Sequence, residues 1–337
     1  MPFVINKDYF DQTVILAKQL VLLARYGSSL HEENREFNPH YFSKNDLLIN
    51  IFCDFEKELN QKRENVVKSK DRLDAIFCEI YELDDVDKFY FDIDSIISTP
   101  STSNFVYSLI SYAIGVSFGR YSLDVEGLAY AGGDWNPDLY STIIPDDNNI
   151  IPILDDGYYP DDAMNKVIEF LTKVYGKETL DKNLKFIADA LGGNGTSKEV
   201  IRNYLINGFY TNHLKIYQKR PIYWLFDAGK QNSFKALIYM HRYTPDLLAK
   251  MRTDYILPLM DKYSSRIAYL EKEIPTLTGT LATKSRKELD KVRAQLKELS
   301  EYEPKIHHLA DERISIDLDD GVKHNYELFK DVLAPLK

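Results

Sequence analysis

The stretch PIYWLFDAGKQNSFKALIYM, residues 221–240, decides the fold class. Two β-branched and aromatic runs, 221–226 and 234–240, flank Asp227-Ala228-Gly229-Lys230, whose residue types favour a turn. That order predicts a β-hairpin. Outside it the apolar residues mostly recur at helical spacing. A helix is predicted over 8–26, with Gly27 ending it, and one or two helices over 47–83, separated by a polar stretch at 60–70 that reads as solvated. A connector follows at 89–103, then an apolar helix over 104–119 and a loop-rich segment over 127–162. Helices resume at 161–175 and 179–191. Thr196 followed by Glu199 is a capping box, so another helix should start at Ser197 and run to about Asn207.

Downstream of the hairpin, 246–274 and 283–312 carry Leu257, Met260, Ile267 and Ile274, then Val292, Leu296, Leu299, Ile306 and Leu309. Spacings of three, four and seven suit two antiparallel helices that need each other to hide a narrow seam and that protrude from the body. The tail at 314–318 alternates as a strand. The fold class expected is therefore α+β, predominantly helical, with a small β-sheet or hairpin and a C-terminal antiparallel helical hairpin. Four regions are expected: an N-terminal helical region 1–103, a central α+β region 104–245, the helical hairpin 246–312, and a C-terminal strand and tail 313–337.

With 337 residues, 44% hydrophobic and 28% charged, the chain can bury a core without covalent help. Its two cysteines, Cys53 and Cys78, form neither a disulfide framework nor a metal spacing, which fits a cytoplasmic protein. The most apolar stretch, 14–23, contains Lys18 and Gln19 and is far short of a membrane span, so no membrane partner is expected.

The net charge of −10 hides a division. Residues 74–165 hold 18 acidic residues against two basic ones, Lys88 and Arg120, whereas residues 198–300 hold 19 basic against 10 acidic. Either the two blocks pair within the fold, or the basic one is open to a polyanion. Within it, Lys215, Lys219, Arg220, Lys230, Lys235 and Arg242 alternate with aromatic residues, Tyr223 among them. Cations neutralise phosphates and aromatic rings stack on bases, so these seven are the candidate DNA-binding residues. On the other reading the aromatics are core and the lysines a solvated rim.

Other chemistry finds less support. Asn38-Pro39-His40-Tyr41 approaches the [DN]-P-P-[YFW] turn that holds an extruded adenine, but histidine replaces the second proline and 31–37 is polar where a strand belongs. It reads as a turn before a helix near Asn45. Gly192-Gly193-Asn194-Gly195 lacks the spacing of a phosphate loop. Glu169 has Leu171 where a nuclease lysine would stand, and the seven histidines are scattered. No catalytic residue and no metal ligand is assigned.

Longer motifs carry a resemblance. The run Leu109-Ile110-Ser111-Tyr112-Ala113-Ile114-Gly115 leads to Phe118-Gly119-Arg120-Tyr121-Ser122-Leu123-Asp124, and Gly127-Leu128-Ala129-Tyr130-Ala131-Gly132-Gly133 follows. FIADALGGNGTSKEVIRNYL (186–205), KRPIYWLFDAGKQNSFKALIYMHRY (219–243) and IDLDDGVKHNY (316–326) come next. Together, over about residues 70–337, they resemble the C-terminal half of the PglX family, the adenine-specific DNA methyltransferases of BREX phage-defence systems; residues 1–65 match poorly. The resemblance implies an S-adenosylmethionine-dependent enzyme that methylates adenine in a non-palindromic DNA site to mark self DNA. It also implies double-stranded DNA, an N-terminal methyltransferase part and other BREX subunits as partners. The family's cofactor and NPPY turns lie N-terminal to everything matched, so none of its catalytic residues carries over. The chain reads as a truncated or split product, a non-catalytic DNA-contacting and scaffolding part with no cofactor of its own; the alternative is a module that docks other BREX subunits.

Overall fold

The computed structural model describes residues 7–83 and 92–336. Residues 84–91, which include Lys88 and the start of the connector expected at 89–103, lie outside it. The hairpin forms as read: β2 (Tyr223–Asp227) pairs antiparallel with β3 (Lys235–Tyr239), in the register Tyr223 to Tyr239 through Asp227 to Lys235. A short β1 (Ile151–Pro152) pairs with the other edge of β3, giving the order β1-β3-β2.

The sheet is a partition between two cores. Side chains alternate across a strand. Tyr223, Leu225, Leu237 and Tyr239 enter one cluster, and Trp224, Phe226, Ala236 and Ile238 enter the other. The outer edge of β2 is covered by the C-terminal segment: Asp227 N–H donates to the Val332 carbonyl at 3.1 Å and Ala334 N–H to the Leu225 carbonyl at 2.8 Å. That segment takes the edge the 314–318 stretch would have needed. Residues 318–320 are instead a 3₁₀ turn capped by the Asp317 side chain, so no strand forms there.

The first core is built by α3 (Thr102–Ser117), α4 (Ala163–Tyr175), α5 (Leu180–Leu191), α6 (Ser197–Asn207) and α7 (Phe209–Ile216). The capping box is present: the Thr196 hydroxyl accepts from Glu199 N–H, and the Glu199 carboxylate accepts from Thr196 N–H at 2.7 Å.

Against this body lies an antiparallel pair, α1 (Lys7–Ser29) and α2 (Leu48–Tyr81). Arg72 reaches Gln12 at one end, and the Lys62 ammonium sits 4.1 Å from the Tyr26 ring centre at the other. One reading is refined and one corrected here. Of the one or two helices expected, α2 is a single helix, and the 60–70 stretch read as solvated is seated by the buried Val66 and Ser69 and by Arg63, which bonds Asp94 and the Ile97 carbonyl. Gly27 does not end α1. A Cβ there would stand 1.9 Å from the Ile96 carbonyl oxygen, so glycine permits the helix to lie on the 93–97 segment.

The second core takes in the helical hairpin. The short α8 (Leu247–Lys250) runs through a π-helical turn, Met251–Ile256, into α9 (Leu257–Glu273), which packs antiparallel on α10 (Gly279–Glu312). The expected antiparallel pair is present, but its seam is rotated: Met251, Tyr255, Leu259, Tyr263 and Leu270 are buried, while Leu257, Met260 and Ile267 are only partly covered. The near half of the hairpin also does not protrude. Leu299, Tyr302 and Ile306 of α10 pack with Phe234 and Phe226 in one cluster, and cross-helix pairs run along the hairpin, Arg252 with Glu303 near the body and Arg266 with Glu288 nearer the loop. A final helix, α11 (Val322–Glu327), sets Tyr326 beside Trp224.

Candidate nucleic-acid interface

The seven candidate residues do not share one face. Tyr223 is fully buried, stacked between Phe118 and His213, and no base can reach its ring. Lys235 is buried; it pairs with Asp227 across the ladder and donates to the Ile206 carbonyl. Arg242 is half-buried, lies 4.2 Å over the Trp135 ring and donates to the Phe118 carbonyl at 3.0 Å. These three are structural, because both faces of the sheet are covered. Lys230 is exposed in the β2–β3 loop, at the opposite end of the hairpin from Arg220.

Lys215, Lys219 and Arg220 remain together. All three are exposed, at the C-terminal end of α7 and in the turn after it, and among the described residues none has a carboxylate partner. The turn has an unusual backbone: Gln218 and Lys219 both adopt left-handed conformations (φ 50° and 60°). Non-glycine residues there are strained and persist only where their surroundings fix them. The fixing is visible: Lys219 N–H donates to the Leu214 carbonyl and Arg220 N–H to the Tyr217 carbonyl, both at 2.8 Å.

Beneath this turn lies a buried polar network. Arg120 donates from Nε to the Tyr121 hydroxyl at 3.0 Å and from Nη1 to the Tyr239 hydroxyl at 3.2 Å. Glu32, buried on the loop after α1, accepts from the Ser111 hydroxyl and acts on Arg120 electrostatically, without a direct ion pair. Its second oxygen lies near the Tyr217 hydroxyl, and neither atom has a close protein partner. Burial raises the Glu32 carboxyl, while Ser111 and Arg120 oppose the shift. His213 accepts from the N–H groups of Ile222 and Tyr223 on its Nε2, so the neutral ring carries its proton on Nδ1. Burial, aided by Arg120, pushes its pKa down to about 3.

Arg120 and Glu32 were not among the sequence candidates. Arg120 had one signal, a lone described cation in an acidic block; Glu32 had none, since HEENRE (31–36) looks like a solvated loop.

Part of the charge division is internal. Arg202 pairs with Asp162 at 2.7 Å, Lys291 with Asp155 at 2.5 Å, and Asp146 lies close enough to act on Arg242. The turn at Asn38-Pro39-His40-Tyr41 is local 3₁₀ structure (His40–Ser43), and Tyr41 is a core residue, edge-on to Phe55 and hydrogen-bonded to Tyr26. The Gly192–Gly195 turn joins two helices rather than a strand and a helix. Among the described residues no group of three or more metal-ligating side chains converges, and no helix is long and apolar enough to cross a membrane.

No family model matches the chain. Two curated proteins do. The chain is 38% identical to the adenine-specific methyltransferase PglX of Lacticaseibacillus casei (strain Zhang) over 352 aligned positions, taking in 98% of this chain and 29% of that protein. It is 42% identical to the adenine-specific methyltransferase BrxX of Escherichia coli O9:H4 (strain HS) over 249 positions, 70% of this chain and 21% of that protein. The first match reaches well upstream of residue 70, further than the motifs alone had indicated. The chain thus spans less than a third of the length of these relatives. Over most of its length, then, the chain is similar to one part of the adenine-specific methyltransferases PglX and BrxX.

Proposed function

We propose that this chain contacts double-stranded DNA and supports, without supplying the methyl-transfer motifs, a BREX-type site-specific adenine DNA methyltransferase. In this reading S-adenosylmethionine and the reacting adenine are held by an N-terminal methyltransferase part, and the assembly works in the cytoplasm. The observation that carries the reading is the cluster Lys215, Lys219 and Arg220: exposed, without a carboxylate partner among the described residues, and set on a turn whose left-handed backbone is fixed from below. Three exposed cations within six residues, with no carboxylate partner among the described residues, cost the fold self-repulsion and suit a phosphate backbone. Binding of a short duplex by the chain, followed by fluorescence anisotropy, tests it: alanine at Lys219 and Arg220 should weaken binding of unrelated sequences about equally, whereas alanine at Lys235 should lower stability first.

One observation favours a second reading, a surface that docks another protein. Phe10, Ile15, Val21 and Leu22 of α1 are 54–64% exposed, while Leu20, Leu23 and Tyr26 of the same helix pack inward. Salt-independent capture of a protein partner together with no DNA binding would favour it.

A further inference from the structure

A cleft of about 470 Å³ opens between the loop after α1, residues 98–101, α3 and the end of α7. Pockets that take small organic ligands span about 300–1,000 Å³. We propose that this cleft binds a single nucleotide unit, one base with its phosphate. For a nucleotide within a DNA strand the proposal rests on the DNA-contacting reading above; for a free nucleotide it does not.

The walls divide by chemistry. Phe37, Phe42, Phe105 and Tyr107 contribute aromatic surface. Tyr107 lies flat on Tyr204, with centroids 5.2 Å apart and planes 13° from parallel. One face of its ring is therefore covered and the ring is held as a platform. A base gains by stacking on such a surface whatever its identity.

Polar groups stand around this surface. The side chains of Asn104, Ser108 and Gln218 line the cleft and make no hydrogen bond among the described residues. Asn38 accepts from His40 N–H at 3.1 Å through Oδ1, which leaves its amide nitrogen for another acceptor. Carboxamides offer donor and acceptor side by side, as the edge of a base requires. Lys215 is the one cation in the lining, and it carries Lys219 and Arg220 close behind in sequence. The one carboxylate, Glu33, is on the loop wall, so a phosphate belongs on the α7 side. Convergent carboxamides, a flat aromatic wall and one cation match a nucleotide; they do not match an aliphatic ligand or a cation.

Two probe sets test this with the full chain. Calorimetry with dAMP, dCMP, dGMP and TMP, each alone, addresses the free nucleotide. Anisotropy with a duplex carrying one unpaired nucleotide, against the same duplex fully paired, addresses the strand. The cleft should give saturable binding in at least one set: sub-millimolar for a mononucleotide, or a preference of about tenfold for the unpaired duplex. Ser108→Tyr, which fills the cleft, and Lys215→Ala, which removes the cation without filling it, should each reduce that signal at least fivefold with the melting temperature of the fold retained. Binding in the first set alone assigns a free nucleotide; a preference in the second alone assigns a strand nucleotide. Absence of both signals overturns the proposal, as does a signal that neither variant reduces. Failure here is distinct from failure of the DNA-contacting reading, which shows as loss of fully paired duplex binding or as indifference to Lys219 and Arg220.

Discussion

The Nη1 of Arg120 donates to the hydroxyl of Tyr239, 3.2 Å away, and that hydroxyl donates in turn to the Tyr130 carbonyl at 2.8 Å. A guanidinium just after α3 thereby grips the centre strand of the sheet and, through Tyr239, the loop around Tyr130. The buried guanidinium is met by these hydroxyls, and Glu32 is a buried carboxylate that feels its charge without a direct ion pair.

Arg120→Met should therefore be costly, by about 1–3 kcal/mol for each buried group left unanswered, because it removes the donor to the Tyr121 and Tyr239 hydroxyls and a cation that acts on Glu32. Adding Glu32→Gln to that variant should recover part of the loss. Urea denaturation of the two single variants and the double variant measures the coupling; strictly additive losses would show that the two groups do not sense each other.

Gly27→Ala has a sign that separates two roles. In an exposed helix interior the change stabilises by about 1 kcal/mol. Here the added Cβ meets the Ile96 carbonyl, so a loss of about 1–3 kcal/mol is expected from overpacking. Thermal melts decide between gain and loss.

Acid should unfold the protein partly through His213. Its folded pKa, about 3, lies below the unfolded value near 6.5. Between those values the unfolded chain binds the extra proton, so stability is fully present above pH 6.5 and falls as pH drops. The loss from this one group should reach about 2 kcal/mol at pH 5. Burial lowers His241 as well, to about 4, which adds in the same direction, whereas the raised carboxyls of Glu32, Asp146 and Asp227 act oppositely. His213→Gln keeps an acceptor for the two amides and removes the titration. Its melting temperature should fall less than that of the unaltered protein between pH 7 and pH 5; parallel curves would contradict the assignment.

The hairpin and the capping box were legible because each is written in contiguous residues: a turn between two aromatic runs, and Thr196 with Glu199 three positions on. The antiparallel helical pair was legible from its spacing, but not its seam, since the buried positions include Tyr255 and Tyr263, aromatic residues outside the aliphatic pattern. The site was less legible for a related reason. A strand with both faces buried shows no alternation of polar and apolar residues, so nothing in 223–239 distinguished the stacked Tyr223 or the paired Lys235 from surface groups. Lys215, Lys219 and Arg220 are exposed, as the sequence suggested for all six cations, because charged side chains beside a helix end stay in water unless a partner buries them. Glu32 was hidden because its burial depends on Arg120 and Ser111, about eighty residues away.

The central claim is that Lys219 and Arg220 meet DNA phosphates, and the salt dependence of duplex binding tests it most directly. The logarithm of affinity is plotted against the logarithm of salt concentration for the chain and for Lys219→Ala/Arg220→Ala. Each phosphate contact contributes a slope of about −0.9, so losing two should flatten the line by roughly one to two units and weaken binding alike across sequences. An unchanged slope and affinity in the double variant would contradict the account and leave the chain as a docking module.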